Sequence, residues 1–366
     1  MINPEDAAAL GQETSALYAQ AELLIIAAIT EHIATVGDVP NFVWMEQLRR
    51  AQLRGYVQGV ANVLAQKSNE TVAAAVVEAV ELGQKAAMRE LTMLGKPTPV
   101  LHDQGLFDLA TEHSRGVTTE LNRMVAGLGN SANDAMRRIS ANAAADVARG
   151  DLSPFDAARK AHTRMAKEGY GFFRDKAGRK WGMDTYAEMS VRTGANNAMI
   201  EGHTRALTAA GEDFVIVSSH NNPAPQCAPY ERKVLSLTGA HRAGSHRVGD
   251  SIVSVKDTLN NAKSNGLFHV NCRHVISVYQ PGTTPRETPK QDPNHEGYKA
   301  TQKQRYLERE IRASKRMETA AITDADKTAA RSRARAYQGK LRDHIKEHDL
   351  QRRRHREQVR TADWEG

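Results

Sequence analysis

Long helical patterning in the first hundred residues constrains the fold of this chain most strongly. Residues 4–36 carry leucine and isoleucine along or near one stripe, with the spacing of one face of an α-helix. A second such stretch covers about 42–94, where Asn69 is predicted to act as an N-cap and to interrupt the helix. Apolar stripes of this length need packing partners, so the pattern predicts a protein built mainly from helices.

The composition favours the same architecture. Hydrophobic residues make up 40% of the 366 residues and aromatic residues only 5%, so alanine, the best helix former, supplies much of the apolar content. Helical patterning returns at 103–149, with a break near Gly127 and Gly129. Ser153 and Pro154 then have the residue types of an N-cap and a first helical position.

The pattern changes after Gly211. Short β-branched segments at 214–219, 233–237, 251–255 and 274–279 predict strands. The glycine-rich segment 239–250 between them holds four histidine and arginine residues, and we expect a flexible, solvated loop there.

The predicted fold class is mainly α, with long N-terminal helices, a small α+β domain and a C-terminal helical tail. The corresponding ranges are 1–100 for the long helices, 101–210 for a helical domain, 211–282 for the small α+β domain, 283–298 for a proline-rich linker and 299–366 for a basic helical tail.

The net positive charge of the chain comes from its C-terminal end. The whole chain has a formal charge of +7, and residues 301–366 contain 18 Lys and Arg against 11 Asp and Glu, so the remainder is balanced. A neutral body with a basic end predicts an anionic partner for the end alone. The basic residues that we expect to contact DNA or an acidic protein surface are Arg352, Arg353, Arg354, Arg356 and Arg360.

Other classes of protein are excluded or disfavoured. Two cysteines cannot form the disulfide framework of a small secreted domain. No lysine or arginine precedes Arg49, and the apolar run 23–29 is too short to cross a bilayer. We therefore expect a soluble protein that is made in the cytoplasm and does not contact a membrane.

Both cysteines lie near histidines in the small α+β region. The preferred interpretation is that Cys227 and Cys272 are reduced and packed, and that no cofactor is bound. Two alternatives remain open: a tetrahedral zinc site formed with His220 and His269, although the spacing matches no common zinc motif, and a disulfide between the two cysteines.

A catalytic interpretation of the same region also remains open. Metal-dependent nucleases use histidine and asparagine near a bound cation, and His269, Asn271 and His274 lie within six residues, with His220 as a further candidate. Their spacing is not diagnostic of a nuclease.

Four parts of the second half of the chain form a specific combination: the stretches 175–193, 214–237 and 266–282, and the helical tail. In this order they resemble phage minor capsid proteins of the minor capsid protein 2 type, relatives of the Mu F-like head morphogenesis proteins. The motif residues carried over are Trp181, Tyr186, Met189, Arg192, Thr193, His220, Cys227, Lys233, His269, Cys272, Arg273 and His274.

The resemblance implies a non-enzymatic structural protein of a tailed phage virion. Such a protein is expected at the portal vertex inside the head, in several copies, in contact with the portal protein, the major capsid protein or packaged DNA. Many relatives have a second cysteine after the arginine of the last motif, where this chain has His274. The alternative function is a metal-dependent nuclease or hydrolase that acts in head maturation or DNA ejection.

Overall fold

The computed structural model describes residues 2–36, 42–100, 103–150, 152–170, 172–174, 178, 180–285 and 292–359. Its helices are α1 (Pro4–Val36), α2 (Phe42–Met93), α3 (Asp103–Ala126), α4 (Leu128–Ala148), α5 (Pro154–Glu168), α6 (Met183–Ala209), α7 (Leu259–Ser264), α8 (Glu296–Thr319) and α9 (Asp324–Glu347). Its strands are β1 (Phe172–Arg174), β2 (Lys180–Gly182), β3 (Phe214–Val217), β4 (Val234–Ser236), β5 (Gly244–Val248), β6 (Ser251–Thr258) and β7 (Ile276–Val278). The predicted fold class is confirmed.

The chain forms two compact units, each assembled from three separate segments. The first unit contains Met1–Gln12, Glu70–Thr119 and Glu188–Lys299. The second contains Glu13–Asn69, Glu120–Ala187 and Ala300–Gly366. Consecutive ranges drawn from sequence patterning cannot describe such interleaving, and the five-range division of the chain stays a prediction.

Helix ends follow the capping residues in the sequence. The Ser153 side chain accepts a hydrogen bond from the backbone N–H of Asp156, which confirms the predicted start of α5. Thr323 caps α9 in the same way through the N–H of Asp326. The predicted interruption at Asn69 is wrong, because α2 continues through it and Ser68 and Val72 on either side are fully buried.

In the first unit, α2 and α6 approach each other closely at two glycines. A β-carbon added at Gly83 would lie 2.0 Å from the backbone oxygen of Met199, and one added at Gly202 would lie 2.5 Å from that of Val80. Real β-carbons do not make such contacts. The two helices can therefore pack this closely only because both positions lack a side chain.

The first unit also contains a mixed five-stranded sheet with the strand order β5-β6-β4-β3-β7. The β4–β6 pair is parallel and the other neighbours are antiparallel. Its buried cluster consists of Phe214, Val234, Val253, Val255 and Tyr279. The prediction of a flexible loop at 239–250 is wrong in part, because residues 244–248 form β5. The side chains of β5 are largely exposed and show no apolar alternation, so only its backbone pairing with β6 identifies it as a strand.

The second unit has a charged residue within its helical core. The carboxylate of Glu22 on α1 accepts a hydrogen bond from the N–H of Tyr170 and lies 3.7 Å from Nε of Arg316. By length and composition alone, Glu5–Thr35 could cross a membrane, but 50% of its most apolar window is buried within the protein. A core helix satisfies the same criteria, and the partners of Glu22 fit that interpretation.

The C-terminal helices α8 and α9 pack through Leu307, Ile311 and Leu341. Before them, Asp292 accepts hydrogen bonds from the N–H groups of Asn294 and Glu296 and so caps the start of α8. Within the predicted linker, 286–291 lie outside the described residues.

Candidate functional site

The polar residues predicted from the sequence meet at one end of the sheet in the first unit. Strand β3 is antiparallel to both β4 and β7, with Ile216 opposite Val234 and Val217 opposite Ile276. Residues that follow β3 therefore lie beside residues that precede β4 and β7. This topology gathers His220, Cys227, Glu231, Cys272 and His274, which we call the Cys/His cluster.

Two buried cysteines form the centre of this cluster. The sulfur atoms of Cys227 and Cys272 lie 3.5 Å apart, and both cysteines are free. This distance is far longer than a disulfide bond of about 2.05 Å. The thiol of Cys227 also lies 3.8 Å from the backbone oxygen of Gly266. The structure therefore brings the two sulfur atoms into contact with no bond between them.

His274 joins the cysteines to a buried carboxylate. Its Nδ1 lies 3.4 Å from Sγ of Cys272, and its Nε2 lies 3.0 Å from Oε1 of Glu231. Both His274 and Glu231 are 1% exposed. Sequence patterning did not identify Glu231, because a single glutamate between tyrosine and arginine is typical of a solvated turn.

His220 completes the cluster from above the ring of His274. The two imidazole centroids lie 4.3 Å apart at an interplanar angle of 38°. The backbone N–H of His220 donates to the same oxygen of Glu231 that faces His274. Burial and the nearby charge of His274 lower the pKa of His220, so its ring stays neutral at higher acidity than a free histidine.

Hydrogen bonds set the protonation states in the cluster. Burial raises the pKa of Glu231, but the bonds from His274 and from the backbone of His220 outweigh it and lower the pKa overall. Burial opposes the charge on His274, yet its contacts with Cys272 and Glu231 raise its pKa to about 9. The contact between the sulfurs lowers the pKa of Cys272 and raises that of Cys227.

In the absence of a metal ion, these shifts favour a thiolate at Cys272 and a proton on His274, beside the carboxylate of Glu231. A thiolate of this kind is both a nucleophile and a soft metal ligand. Because both sulfurs are buried, the cluster is better suited to hold a small ion than to attack a bulky substrate.

His269 does not join the cluster. Its side chain is half-buried, and its Nδ1 lies 2.7 Å from the backbone oxygen of its neighbour Val270. The four residues considered for zinc from the sequence are therefore not brought together as one set. The structure brings Cys227 and Cys272 together, places His220 at their edge and adds His274.

The residues considered for nuclease chemistry face different partners. Arg192 on α6 donates to the side-chain oxygen of Asn271, and Thr193 accepts from the backbone N–H of Asn271 at 3.3 Å. Asn271 has a φ of 67°, so this pair of α6 residues holds a left-handed turn directly before Cys272. The geometry gives Arg192 and Thr193 a positioning role for the Cys/His cluster.

The other motif residues lie at separate places. In the second unit, the rings of Trp181 and Tyr186 contact edge to face at 6.0 Å. Lys233 is exposed and Arg273 half-buried.

Of the arginines predicted to contact DNA or an acidic protein surface, some are paired or half-buried in the structure. Arg352 binds Glu357 through two hydrogen bonds of 2.7 Å. Arg353 and Arg356 are half-buried and Arg354 is exposed, while Arg360 lies outside the described residues.

A second basic surface on α9 was not identified from the sequence. Arg335, Arg342 and Lys346 are exposed, and within the described chain no ion pair involves them. They lie at positions i, i+7 and i+11, which places them within about 40° of one another around the helix. We call these three residues the α9 basic stripe. The i, i+7 and i+11 spacing of these basic residues in the sequence would have predicted this surface.

Comparison with known proteins supplies the family. The family of phage minor capsid protein 2 matches residues 2–346. A curated relative, a structural protein of the Lactococcus phage LL-H, is 26% identical over 181 residues, which cover 48% of this chain and 48% of the relative. The chain thus matches about half the length of that relative. No solved structure matches.

Proposed function

This chain belongs to the phage minor capsid protein 2 family, and from that premise we propose that it is a non-enzymatic structural subunit at the portal vertex of a phage head, in contact with packaged DNA. Family membership itself identifies a phage structural protein that works in the virion among other virion components. The portal position and the DNA contact are the proposal.

The α9 basic stripe carries the proposed DNA contact. Arg335 and Arg342 are about 10 Å apart along the helix axis, and Arg342 and Lys346 about 6 Å. Ala334 and Leu341, about 100–120° around the helix from the stripe, are buried, so the stripe lies on the outer side of a packed helix. Three cations held in a row on a rigid element are suited to contact phosphates.

Such a surface binds DNA without reading its sequence. Phosphate contacts give affinity and orientation, whereas sequence is read by side chains at the base edges. A head protein needs only the first property, because packaged DNA presents every sequence to it. The charge balance of residues 1–300 agrees with a contact confined to the C-terminal helices.

An exposed apolar surface in the first unit supports contact with another virion protein. Met93, Val100 and Phe107 are 85%, 87% and 61% exposed on and between α2 and α3. Large apolar side chains left exposed at three nearby positions of the sequence are available for contact with a partner protein. The portal protein is the partner that the family resemblance implies.

No observation favours the nuclease alternative. His220 and His274 share the Cys/His cluster, but the other two proposed residues do not join them. Asn271 binds Arg192 and Thr193, and Nδ1 of His269 faces the backbone oxygen of Val270.

The DNA contact is tested by charge reversal rather than by deletion of the tail. Removing residues 301–366 would also remove buried Leu307, Ile311 and Leu341, so a loss of binding could reflect unfolding. The triple variant R335E/R342E/K346E leaves these core residues intact. A matched control, R54E/R89E/K256E, changes the net charge equally at exposed sites elsewhere.

Binding of a fluorescent duplex is measured by anisotropy over a series of salt concentrations. The stripe variant should bind at least tenfold more weakly, and its slope of log affinity against log salt should fall by about 3 units. The control variant should keep most of the affinity and the slope. Equal losses in the two variants would contradict a localised contact and indicate a response to net charge alone.

A further inference from the structure

We propose that Cys227, Cys272 and His274 bind one Zn²⁺ ion, which fastens the irregular segments at one end of the mixed sheet. The proposed ion is structural and does not depend on the DNA contact. It differs from the sequence-based set in its histidine, since His274 replaces His269 as a ligand.

The spacing of the three ligand atoms fits a zinc tetrahedron. With zinc–sulfur bonds of about 2.3 Å and zinc–nitrogen bonds of about 2.05 Å, tetrahedral angles place two sulfurs about 3.8 Å apart and a sulfur and a nitrogen about 3.6 Å apart. The observed distances are 3.5 Å between the sulfurs and 3.4 Å between Sγ of Cys272 and Nδ1 of His274. All three ligand atoms lie within 4.8 Å of one another.

Glu231 orients the histidine as zinc ligation requires. Its carboxylate accepts from Nε2–H of His274, so a neutral ring carries its free electron pair on Nδ1, the atom that faces the sulfurs. A carboxylate that holds the outer nitrogen of a ligating histidine is the usual second-shell arrangement at zinc. The backbone N–H of His274 also lies 3.4 Å from Sγ of Cys272, where it stabilises a thiolate.

The ligands come from parts of the chain with little regular structure. Cys227 precedes a short 3-10 turn at Ala228–Tyr230, and Cys272 follows Asn271, which has a positive φ. An ion held by both segments would bind them together across 45 positions of sequence. The remaining position of the tetrahedron is available to water or to His220, whose ring packs on His274.

Zinc fits the donors better than other common ions. Thiolate and imidazole are soft and borderline ligands, which select zinc over magnesium or calcium. The two rival states are a Cys227–Cys272 disulfide and a pair of metal-free thiols. Each predicts a different composition of the purified protein, so they can be separated directly.

The test measures the metal content of the full-length protein, which is produced with zinc supplied and desalted under reducing conditions. Elemental analysis should give about one zinc per chain, the stoichiometry of a single structural site. Metal-free protein titrated with Co²⁺ should show sulfur-to-cobalt charge-transfer absorption that Zn²⁺ abolishes. Cobalt reports on the ligands without any change in the sequence.

Variants locate the ion. C227S and H274A should each lower the zinc content at least tenfold, whereas H269A, which alters a half-buried histidine of the same segment outside the cluster, should keep it. A cysteine variant that fails to fold would give no readout, so the wild-type protein supplies a second one: its two thiols should resist alkylation until a chelator removes the zinc.

Three results would overturn the proposal. The first is a zinc content below about 0.1 per chain in wild-type protein that was produced with zinc supplied, well short of the single site expected. The second is an intact mass two hydrogens below that of the reduced chain in protein purified without reductant, which identifies the disulfide. The third is loss of zinc in H269A equal to that in C227S, which would restore the other ligand set.

Discussion

His203 on α6 places Nε2 3.1 Å from Oε2 of Glu90 on α2, and both side chains are buried. The same carboxylate oxygen accepts a hydrogen bond of 2.7 Å from the backbone N–H of Val278 in β7. One carboxylate thus joins two helices and the edge of the sheet within the first unit. Burial raises the pKa of Glu90, but its bonds to His203 and Val278 outweigh burial and lower the pKa overall.

Replacing Glu90 should therefore be costly. E90A leaves the buried imidazole and N–H without their acceptor, and we expect a loss of about 3 kcal/mol in the free energy of unfolding. E90Q retains an oxygen for Val278 and should lose less than half as much. Urea denaturation of the three proteins measures the difference, and equal stability of E90A and wild type would refute the role of this carboxylate.

A second prediction concerns the close packing of α2 and α6. Alanine at Gly83 would place its β-carbon against the backbone of Met199, so G83A should destabilise the protein by at least about 2 kcal/mol. A β-carbon added at Gly59, on the same helix, would have no neighbouring atom within 4 Å. G59A should instead stabilise the protein by about 0.5–1 kcal/mol, through better helix propensity. Thermal unfolding distinguishes the two variants, and equal shifts would contradict the close approach.

A third prediction concerns acid stability. His162 is fully buried between Thr30 and Tyr170, and burial lowers its pKa to about 3. The unfolded chain takes up a proton near pH 6.5 while the folded protein does not, so stability is present above that pH and falls as the pH decreases. Between about pH 7 and about pH 5 this single group should remove about 2 kcal/mol.

The variant H162Q isolates that contribution, because the other titrating groups are unchanged. Its stability at neutral pH should be lower, but the change between the two pH values should be smaller than that of wild type by about 2 kcal/mol. Denaturant midpoints at both pH values give the comparison. Parallel pH profiles of the two proteins would show that His162 does not stay neutral in the folded state.

A fourth prediction compares a buried ion pair with an exposed one. Arg312 on α8 places Nε 3.2 Å from Oδ2 of Asp184, and both side chains are 11% exposed. R312M would leave that carboxylate buried without its nearest cation and should cost about 3–5 kcal/mol. Arg331 and Glu318 form a more exposed pair at 2.7 Å, so R331M should cost less than about 1 kcal/mol. Similar losses in the two variants would contradict the assigned environments.

Much of the fold follows from local patterns in the sequence. The bounds of α1, the break between α3 and α4 and the capped start of α5 were all predictable, because apolar periodicity and capping residues act over a few positions. Asn69 misled the prediction because asparagine is only mildly unfavourable inside a helix. Tertiary contacts outweigh that cost: the neighbouring Ser68 bonds the hydroxyl of Tyr18 at 3.1 Å.

The candidate site was only partly predictable, for a different reason. The residue types of Cys227 and Cys272 indicated a cluster, but the identity of its histidine depended on which side chain faces inward. His269 and His274 are five positions apart, and His274, two positions before β7, is buried where β7 pairs with β3. Glu231 and the interleaving of the two units arise from long-range topology, which local patterning does not report.

The central claim, that this chain is a minor structural subunit of the phage head, is tested most directly by its copy number in purified DNA-filled heads. Quantitative mass spectrometry against isotope-labelled peptides measures this chain, the portal protein and the major capsid protein together. The account predicts that the chain stays with washed heads at a copy number comparable to the portal protein and far below the major capsid protein. Its absence from heads, with the chain recovered only as free protein from the lysate, would contradict the account.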